Sequence, residues 1–252
     1  MKEITDKLLN KKYFIFDIDG TLVDSMPMWN LIDQKVLYDN FGIAVAGEDI
    51  KAFRDSILYD DRHVSGDIYA IYYEEFVKLF NLGITGKEFK KLRYELATYL
   101  STYELDFKEG AAEFLNALKL IGKKIGVAST TTKKQYSIYE NSNQKMIKKA
   151  PLKTMVEVLV LCEDVTRKKP DPEAYVLAMQ KLGAKPEECI VFEDSLNGVM
   201  AAKTAGIEVC CVYDPSAHNE HDIIDKIADY KVDSFATLVK ILGLDKPQSQ
   251  PQ

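Results

Sequence analysis

"YFIFDIDGTLVDSMPMW", residues 13–29, is the stretch from which the fold of this chain can first be predicted. Four apolar or aromatic residues run directly into Asp17, and a second carboxylate, Asp19, follows two positions later. A continuous apolar run predicts a strand that is covered on both faces, as in a parallel sheet. Because buried charges are costly without a partner, two acids at the end of such a strand indicate a functional site.

Four more apolar runs predict the other strands of the sheet. With the first run, the predicted strands are Tyr13–Asp17, Lys124–Ser129, Glu157–Cys162, Cys189–Glu193 and Glu208–Tyr213. Helical patterns lie between the later runs. The clearest is "PDPEAYVLAMQKLG", with Asp171 as cap, Pro172 at the first helical position and Gly183 at the end. This alternation predicts an α/β fold, a doubly wound parallel sheet of Rossmann-like type with helices on both faces.

The segment between the first two predicted strands is helical throughout. Its apolar residues recur with the helical period and predict helices at Met28–Phe41, Glu48–Leu58, Ile68–Leu82 and Lys87–Tyr103. We therefore expect a catalytic core of residues 1–26 and 104–244 with an inserted all-helical cap domain of residues 27–103. The Pro- and Gln-rich residues 245–252 predict a disordered tail.

The bulk composition excludes several classes of protein. Lys and Arg number 33 against 39 Asp and Glu, a net charge of −6, which argues against a nucleic-acid partner. No apolar run approaches the roughly 20 residues that a membrane span needs. The four cysteines form no CxxC pair and the first residues lack the apolar core of a signal peptide, so we expect buried reduced thiols in a cytoplasmic protein.

Polar side chains collect where the predicted strands end, which is where open parallel sheets bind ligands. They are Asp17 and Asp19, Ser129 and Thr130, and Glu193 and Asp194, with Lys169 just before a capped helix. Carboxylates a few ångströms apart repel, so some must be protonated or neutralised by a cation. Oxygen ligands favour a hard ion such as Mg²⁺, which bridges carboxylates to a phosphate. The pattern predicts a Mg²⁺ site that lets an anionic substrate approach an anionic nucleophile.

Four motifs in this chain resemble those of the haloacid dehalogenase superfamily. They are "DIDGTLVDS", "VAST", "KKPDP" and "VFEDSLNGV", in this order, and the resemblance runs from Tyr13 to about Tyr213. A helical insert directly after the first motif is similar to the subclass that contains small-molecule phosphatases and β-phosphoglucomutase. The resemblance implies Mg²⁺ as cofactor and a small-molecule phosphate ester as substrate.

The resemblance also implies roles for the motif residues. Asp17 would be the nucleophile that forms an aspartyl-phosphate, and Asp19 would be the general acid for the leaving alcohol and then the base for water. Ser129, with Thr130 as a second candidate, would bind the phosphoryl oxygens. Lys169 would neutralise the charge of the nucleophile and of the phosphoryl group.

The implied ligands of Mg²⁺ are Asp194, the Asp17 carboxylate and the Asp19 backbone carbonyl, with Glu193 as a further or outer ligand. Within the insert, Arg62 and His63 are candidates to contact the leaving group, and an exposed turn is the alternative for this pair.

Several functions are compatible with these residues. The leading one is a Mg²⁺-dependent phosphomonoesterase. Its substrate could be a sugar phosphate, a nucleotide or another small phosphoester. We expect a monomer or a weak dimer. Haloacid dehalogenation needs no acid at the second position, so Asp19 argues against it. A sugar phosphomutase of the β-phosphoglucomutase type is the main alternative, although its relatives carry His and other polar residues where this chain has "MPMWNL". A non-catalytic phosphometabolite-binding protein would be indicated by the loss of a core acid, and each is present.

Overall fold

A six-stranded parallel sheet forms the centre of the computed structural model, which describes residues 2–58 and 68–244. The strands are β1 (Tyr13–Phe16), β2 (Lys124–Ala128), β3 (Val156–Val160), β4 (Cys189–Glu193), β5 (Glu208–Val212) and β6 (Tyr230–Val232). Their order across the sheet is β3-β2-β1-β4-β5-β6. Every ladder in it is parallel. The predicted α/β, doubly wound fold is confirmed.

Helices connect and flank these strands. They are α1 (Lys2–Asn10), α2 (Met26–Phe41), α3 (Gly47–Leu58), α4 (Ile68–Leu79), α5 (Gly86–Tyr103), α6 (Ala111–Leu120), α7 (Lys133–Asn141), α8 (Gln144–Lys149), α9 (Leu152–Met155), α10 (Glu173–Leu182), α11 (Leu196–Thr204), α12 (His221–Ile227) and α13 (Phe235–Ile241). Short 3₁₀ turns lie at Cys162–Asp164, Pro186–Glu188 and Pro215–Glu220.

The described residues form two compact units. One runs up to Ser25 and continues from Leu105 onward, and it contains the whole sheet. The other is Met26–Glu104, which contains α2 to α5. The two stretches that flank the helical unit are paired within the sheet unit, because Val23 and Phe107 form an antiparallel bridge.

A cluster of five phenylalanines packs one face of the central strands against helices. Phe14 and Phe16 of β1 both contact Phe192 of β4 and Phe114 of α6, and Phe16 also contacts Phe235 of α13. The ring centroids of the contacting pairs in this cluster are 4.8–6.1 Å apart. Buried aromatic side chains contribute much of the apolar area of a core. This packing fixes the register of β1 against β4, so that the residues directly after Phe16 and Phe192 lie side by side.

The helix predicted in "PDPEAYVLAMQKLG" begins one residue later than the sequence indicated. Pro172 occupies the N-cap of α10, and Asp171 Oδ1 accepts a hydrogen bond from the Glu173 amide at 3.0 Å. Gly183 ends the helix with a φ of 63°, as its freedom in the left-handed region allows. Lys169 is held in the short segment just before this helix.

The helical unit has an apolar core of its own, with one buried ion pair. Tyr72, Phe76 and Phe89 are among its fully buried side chains. Arg93 of α5 donates from Nε to Asp33 Oδ1 of α2 at 2.7 Å, and both side chains are buried. The pair joins the first and last helices of this unit.

All four cysteines are free thiols. Cys189, Cys210 and Cys211 are buried in β4 and β5, as expected, whereas Cys162 is half-buried in a 3₁₀ turn. Burial raises the pKa of Cys189 and Cys211 to about 12 and also raises the pKa of Cys210. Over the described ranges, no helix combines the length and apolar character required to cross a membrane.

Candidate active site

Lys169 is the centre of a polar cluster at the carboxyl ends of β1, β2 and β4. Its Nζ lies 2.6 Å from Asp17 Oδ1 and 2.5 Å from Glu193 Oε1, and it donates to the Ala128 carbonyl at 2.9 Å. The side chain is 5% exposed. Burial by itself lowers the pKa of Lys169, but the charges of Asp17 and Glu193 outweigh burial and raise it. The ammonium is therefore held as a fixed positive charge beside Asp17.

Both carboxylate oxygens of Glu193 are occupied by donors. In addition to the lysine, Oε1 accepts the Tyr175 hydroxyl at 2.7 Å. Oε2 accepts the backbone amides of Asp194 and Ser195 at 3.1 and 3.3 Å and the Ser195 hydroxyl at 3.1 Å. These contacts fix the carboxylate toward Lys169 and leave it poorly placed to bind an ion. The structure thus places Glu193 beside Lys169, and its expected part as a further or outer ligand of Mg²⁺ stays a prediction.

Asp194 follows Glu193 at the end of β4 and is 4% exposed. Its Oδ1 accepts a hydrogen bond from the Thr21 hydroxyl at 2.6 Å, which connects it to the loop after β1. Burial raises the pKa of Asp194 well above its usual range, and the charges of Glu193 and Asp17 raise it further. Burial likewise raises the pKa of Asp17, against the opposing charge of Lys169.

The raised pKa values of the buried Asp17 and Asp194 fit a site for a divalent cation. No three His, Cys, Asp or Glu side chains within residues 2–58 and 68–244 lie close enough to hold a metal by themselves. Mg²⁺ does not require three, because it keeps several waters and is commonly held by one or two carboxylates. A cation between Asp17 and Asp194 would favour the ionised form of both buried acids.

The carboxylate of Asp19 accepts hydrogen bonds from three hydroxyl groups. Ser25 donates to Oδ1 at 2.7 Å, Tyr139 donates to the same oxygen at 2.8 Å, and Thr131 donates to Oδ2. The Thr131 hydroxyl also lies 3.0 Å from the Ser129 hydroxyl. Asp19 is therefore linked to the end of β2, where the phosphoryl-binding serine was predicted.

Lys108 holds the loop that carries Asp19. Its Nζ donates to the carbonyls of Gly20 and Tyr213, both at 2.9 Å, and lies 2.7 Å from Asp214 Oδ2. Gly20 has a φ of 86°, which a side chain would strain. The lysine thus connects the loop after β1 to the segment after β5.

The predicted site residues divide into three groups. Those that the structure brings into contacting networks at the strand ends are Asp17, Asp19, Ser129, Lys169, Glu193 and Asp194. Thr130 is exposed, and its neighbour Thr131 makes the contacts to Asp19. Arg62 and His63 lie outside the described residues.

Several residues of the site were not singled out from the sequence. They are Ser25, Lys108, Thr131, Tyr139 and Tyr175. Ser25 is the last residue of the first motif and Thr131 directly follows the second, so their position was a usable signal. The two tyrosines lie in ordinary helical patterns that predict only core packing.

The fold and the site together are a doubly wound parallel sheet with acids and a lysine gathered at its strand ends. Residues 11–206 match the family model described as haloacid dehalogenase-like hydrolase. The chain belongs to that family.

Individual relatives agree with this assignment. The chain is 37% identical over 143 residues to YhcW of Bacillus subtilis, an alignment that covers 57% of this chain and 60% of that protein. It is 29% identical to the phosphorylated carbohydrates phosphatase of Thermotoga maritima, covering 77% and 81% of the two chains. CbbY of Rhodobacter sphaeroides, solved in complex with phosphate, has the same fold at a TM-score of 0.65 and 23% identity, covering 90% and 96%.

Proposed function

We propose that this protein is a Mg²⁺-dependent phosphomonoesterase that acts on a small phosphorylated metabolite through an aspartyl-phosphate on Asp17. The observation that carries the proposal is the ion pair between Asp17 and the buried Lys169, whose Nζ lies 2.6 Å from Asp17 Oδ1. A second acid, the partly exposed Asp19, follows Asp17 two positions later. A carboxylate nucleophile beside a fixed cation is suited to attack on phosphorus, because catalysis of phosphoryl transfer is mainly positioning and charge stabilisation.

The proposed chemistry has two halves. Asp17 attacks phosphorus while Asp19 gives its proton to the oxygen of the leaving alcohol, so that the ester P–O bond breaks as the acyl phosphate forms. Asp19 then takes a proton from water as that water attacks phosphorus and frees Asp17. Lys169 and the Ser129 hydroxyl would contact the phosphoryl oxygens in both halves.

Three groups would hold the metal ion. They are the carboxylates of Asp17 and Asp194 and the backbone carbonyl of Asp19. Bound there, Mg²⁺ would neutralise phosphoryl charge and reduce repulsion between substrate and nucleophile. We leave Glu193 out of this ligand set and assign it to orienting Lys169, because its oxygens already accept five donors.

Sugar phosphates are the substrate class that we favour. The Thermotoga maritima relative is named for phosphorylated carbohydrates, and its alignment spans most of both chains. Arg62 and His63 remain the candidates of this proposal for contacts to the leaving group.

A phosphate-release screen tests the proposal. Wild-type protein is incubated with a panel of phosphate monoesters in MgCl₂, and ³¹P NMR of the products distinguishes hydrolysis from transfer within a sugar. We expect inorganic phosphate from at least one ester, loss of release in EDTA and recovery when Mg²⁺ is restored. A sugar phosphate isomer as the main product would instead indicate a mutase.

Asp17→Asn is the matched variant for this screen, because it keeps the size of the side chain and removes the nucleophilic charge. We expect turnover to fall by more than about a thousandfold with the melting temperature close to that of wild type. An acid-quenched reaction with labelled substrate should leave label on wild type and none on the variant. Turnover near the wild-type rate in this variant, or full activity in EDTA, would contradict the proposal.

A further inference from the structure

Tyr139 contributes a buried hydroxyl to the Asp19 network from an element outside the recognised motifs. It lies in α7 and is 1% exposed, and its hydroxyl donates to Asp19 Oδ1 at 2.8 Å. The helix that carries it is separated from the end of β2 by four residues and is capped by Thr132, whose hydroxyl accepts a hydrogen bond from the Gln135 amide. The backbone that holds this ring is therefore itself well anchored.

The three hydroxyls around Asp19 differ in how firmly each can hold it. Ser25 and Thr131 have short side chains that turn about one bond, and Thr131 has a second hydroxyl, that of Ser129, within 3.0 Å. The Tyr139 hydroxyl stands on a rigid ring enclosed by the core, so it has no comparable freedom. Among these donors, the Tyr139 hydroxyl has the least freedom to move, so it determines the orientation of the Asp19 carboxylate.

Two of the three hydroxyls donate to the same carboxylate oxygen of Asp19. Ser25 and Tyr139 both bond Oδ1, whereas Oδ2 bonds Thr131, whose hydroxyl can turn toward Ser129. When Asp19 carries a proton, the arrangement favours Oδ2 as the oxygen that carries it, because Thr131 can then accept. Fixing Oδ1 thereby fixes the direction from which the proton is delivered.

We propose that Tyr139 is a positioning residue that orients Asp19 for proton transfer to the leaving alcohol. This inference rests on the proposed function. In the step concerned, Asp17 forms a bond to phosphorus, the ester P–O bond breaks, and the proton of Asp19 moves to the departing oxygen. Tyr139 keeps its own proton and touches neither substrate nor metal.

The dependence on the leaving group separates this role from a merely structural one. An alkoxide needs a proton to leave, whereas p-nitrophenolate leaves readily without one. The value of kcat/KM reports the steps up to phosphoryl transfer, so it isolates the acid role of Asp19 from its later role as base. We compare Tyr139→Phe with wild type on the best alkyl phosphate of the screen and on p-nitrophenyl phosphate.

The same helix offers a matched control. Tyr136 is one turn away and 2% exposed, and its hydroxyl has no hydrogen-bond partner in the described part of the chain. Tyr136→Phe therefore removes the same atom from the same helix without altering the Asp19 network. Melting temperatures of both variants establish that each is folded at the assay temperature.

We expect Tyr139→Phe to lower kcat/KM for the alkyl phosphate by about tenfold, the effect of losing part of a general-acid contribution. The value for p-nitrophenyl phosphate should stay within about twofold of wild type, and Tyr136→Phe should leave both substrates unaffected. Equal losses on the two substrates, or no difference between the two variants, would overturn the inference while leaving the phosphatase proposal intact. A wild-type protein that releases phosphate from no ester would overturn both.

Discussion

The lack of a Cβ atom at Gly198 leaves the space that the Glu193 carboxylate occupies. This glycine lies in the first turn of α11, where a Cβ would come within 1.9 Å of the Glu193 carboxyl carbon. Real Cβ atoms do not approach other atoms so closely, and Glu193 cannot move without releasing Lys169 and Tyr175. The glycine is therefore required by the position of the Glu193 carboxylate, which contacts Lys169, 29 positions earlier in the chain than the glycine.

Gly198→Ala places two effects in opposition. Helix propensity alone favours Ala over Gly by about 0.5–1 kcal/mol. Overpacking a closed site costs about 1–3 kcal/mol and here also displaces the Glu193 carboxylate. We expect the clash to dominate, with a lower melting temperature and a loss of more than about tenfold in kcat/KM.

Gly47→Ala is the control for that substitution. Gly47 is also helical, in α3, and a Cβ there would have its nearest neighbour at 3.5 Å, an ordinary contact. Its melting temperature should be equal to or above that of wild type. If Gly198→Ala behaved in the same way and kept full activity, the proposed dependence of Lys169 on Glu193 would be wrong.

At the scale of single residues, the motifs predicted Asp17, Asp19, Ser129, Lys169 and Asp194, whereas Lys108 and the hydroxyls of Tyr139 and Tyr175 were not predicted. Asp17, Lys169 and Asp194 stand in short motifs whose residue types have few structural uses at strand ends. Tyr139 and Tyr175 stand in apolar helical patterns, and such a pattern does not indicate whether a tyrosine hydroxyl makes a hydrogen bond. Only the hydrogen bonds in the folded structure reveal that Tyr139 contacts Asp19 and that Tyr175 contacts Glu193.

Among the elements, α2 and α5 are joined by the buried pair of Asp33 and Arg93. Tyr72 donates to the other oxygen of Asp33 at 2.9 Å, and the guanidinium lies 5.1 Å from the ring centroid of Trp29. The pKa of Arg93 is lowered by burial, but the charge of Asp33 outweighs this effect and raises it. The guanidinium thus stays charged inside a core of aliphatic and aromatic side chains.

Asp33→Ala should destabilise the protein strongly, because it leaves a buried guanidinium without its counter-charge. Breaking a buried pair in this way costs about 3–5 kcal/mol. Urea unfolding measures the loss, with Asp39→Ala on the same helix as the control. Asp39 pairs with Lys35 at an exposed site, and removing that pair should cost less than about 1 kcal/mol. Similar losses in the two variants would show that Asp33 is not buried with Arg93 as described.

The pattern of apolar residues located most elements, and the exceptions have physical causes. β6 was not predicted because its three residues include the exposed Lys231 and so form no continuous apolar run. The predicted helix from Ile68 continued to Leu82, whereas α4 ends at Leu79. Asn81, two residues beyond the end of α4, has a φ of 48° and so interrupts the helical geometry.

For the whole molecule, the order of the strands in the sheet could not be predicted from the sequence. Five apolar runs predicted a parallel sheet, but nothing in them states which strands flank the first. The structure places β2 and β4 on either side of β1, which is why Lys169 contacts both Asp17 and the end of β2, and why Asp194 lies near Asp17. Long-range pairing of this kind depends on the packing of complete elements, such as the five phenylalanines below the site.

The burial of three cysteines has a practical consequence for chemical labelling. With pKa values raised by burial, Cys189, Cys210 and Cys211 form almost no thiolate at neutral pH, and thiolate is the reactive species. Cys162 is half-buried, and its amide donates to the Thr131 carbonyl at 3.0 Å. We expect a maleimide to modify one thiol per native chain and four in guanidinium chloride, counted by intact mass. Two or more fast additions to the native protein would contradict this burial. The unmodified sequence therefore supplies a single attachment point for a fluorophore, beside the hydroxyl network of Asp19.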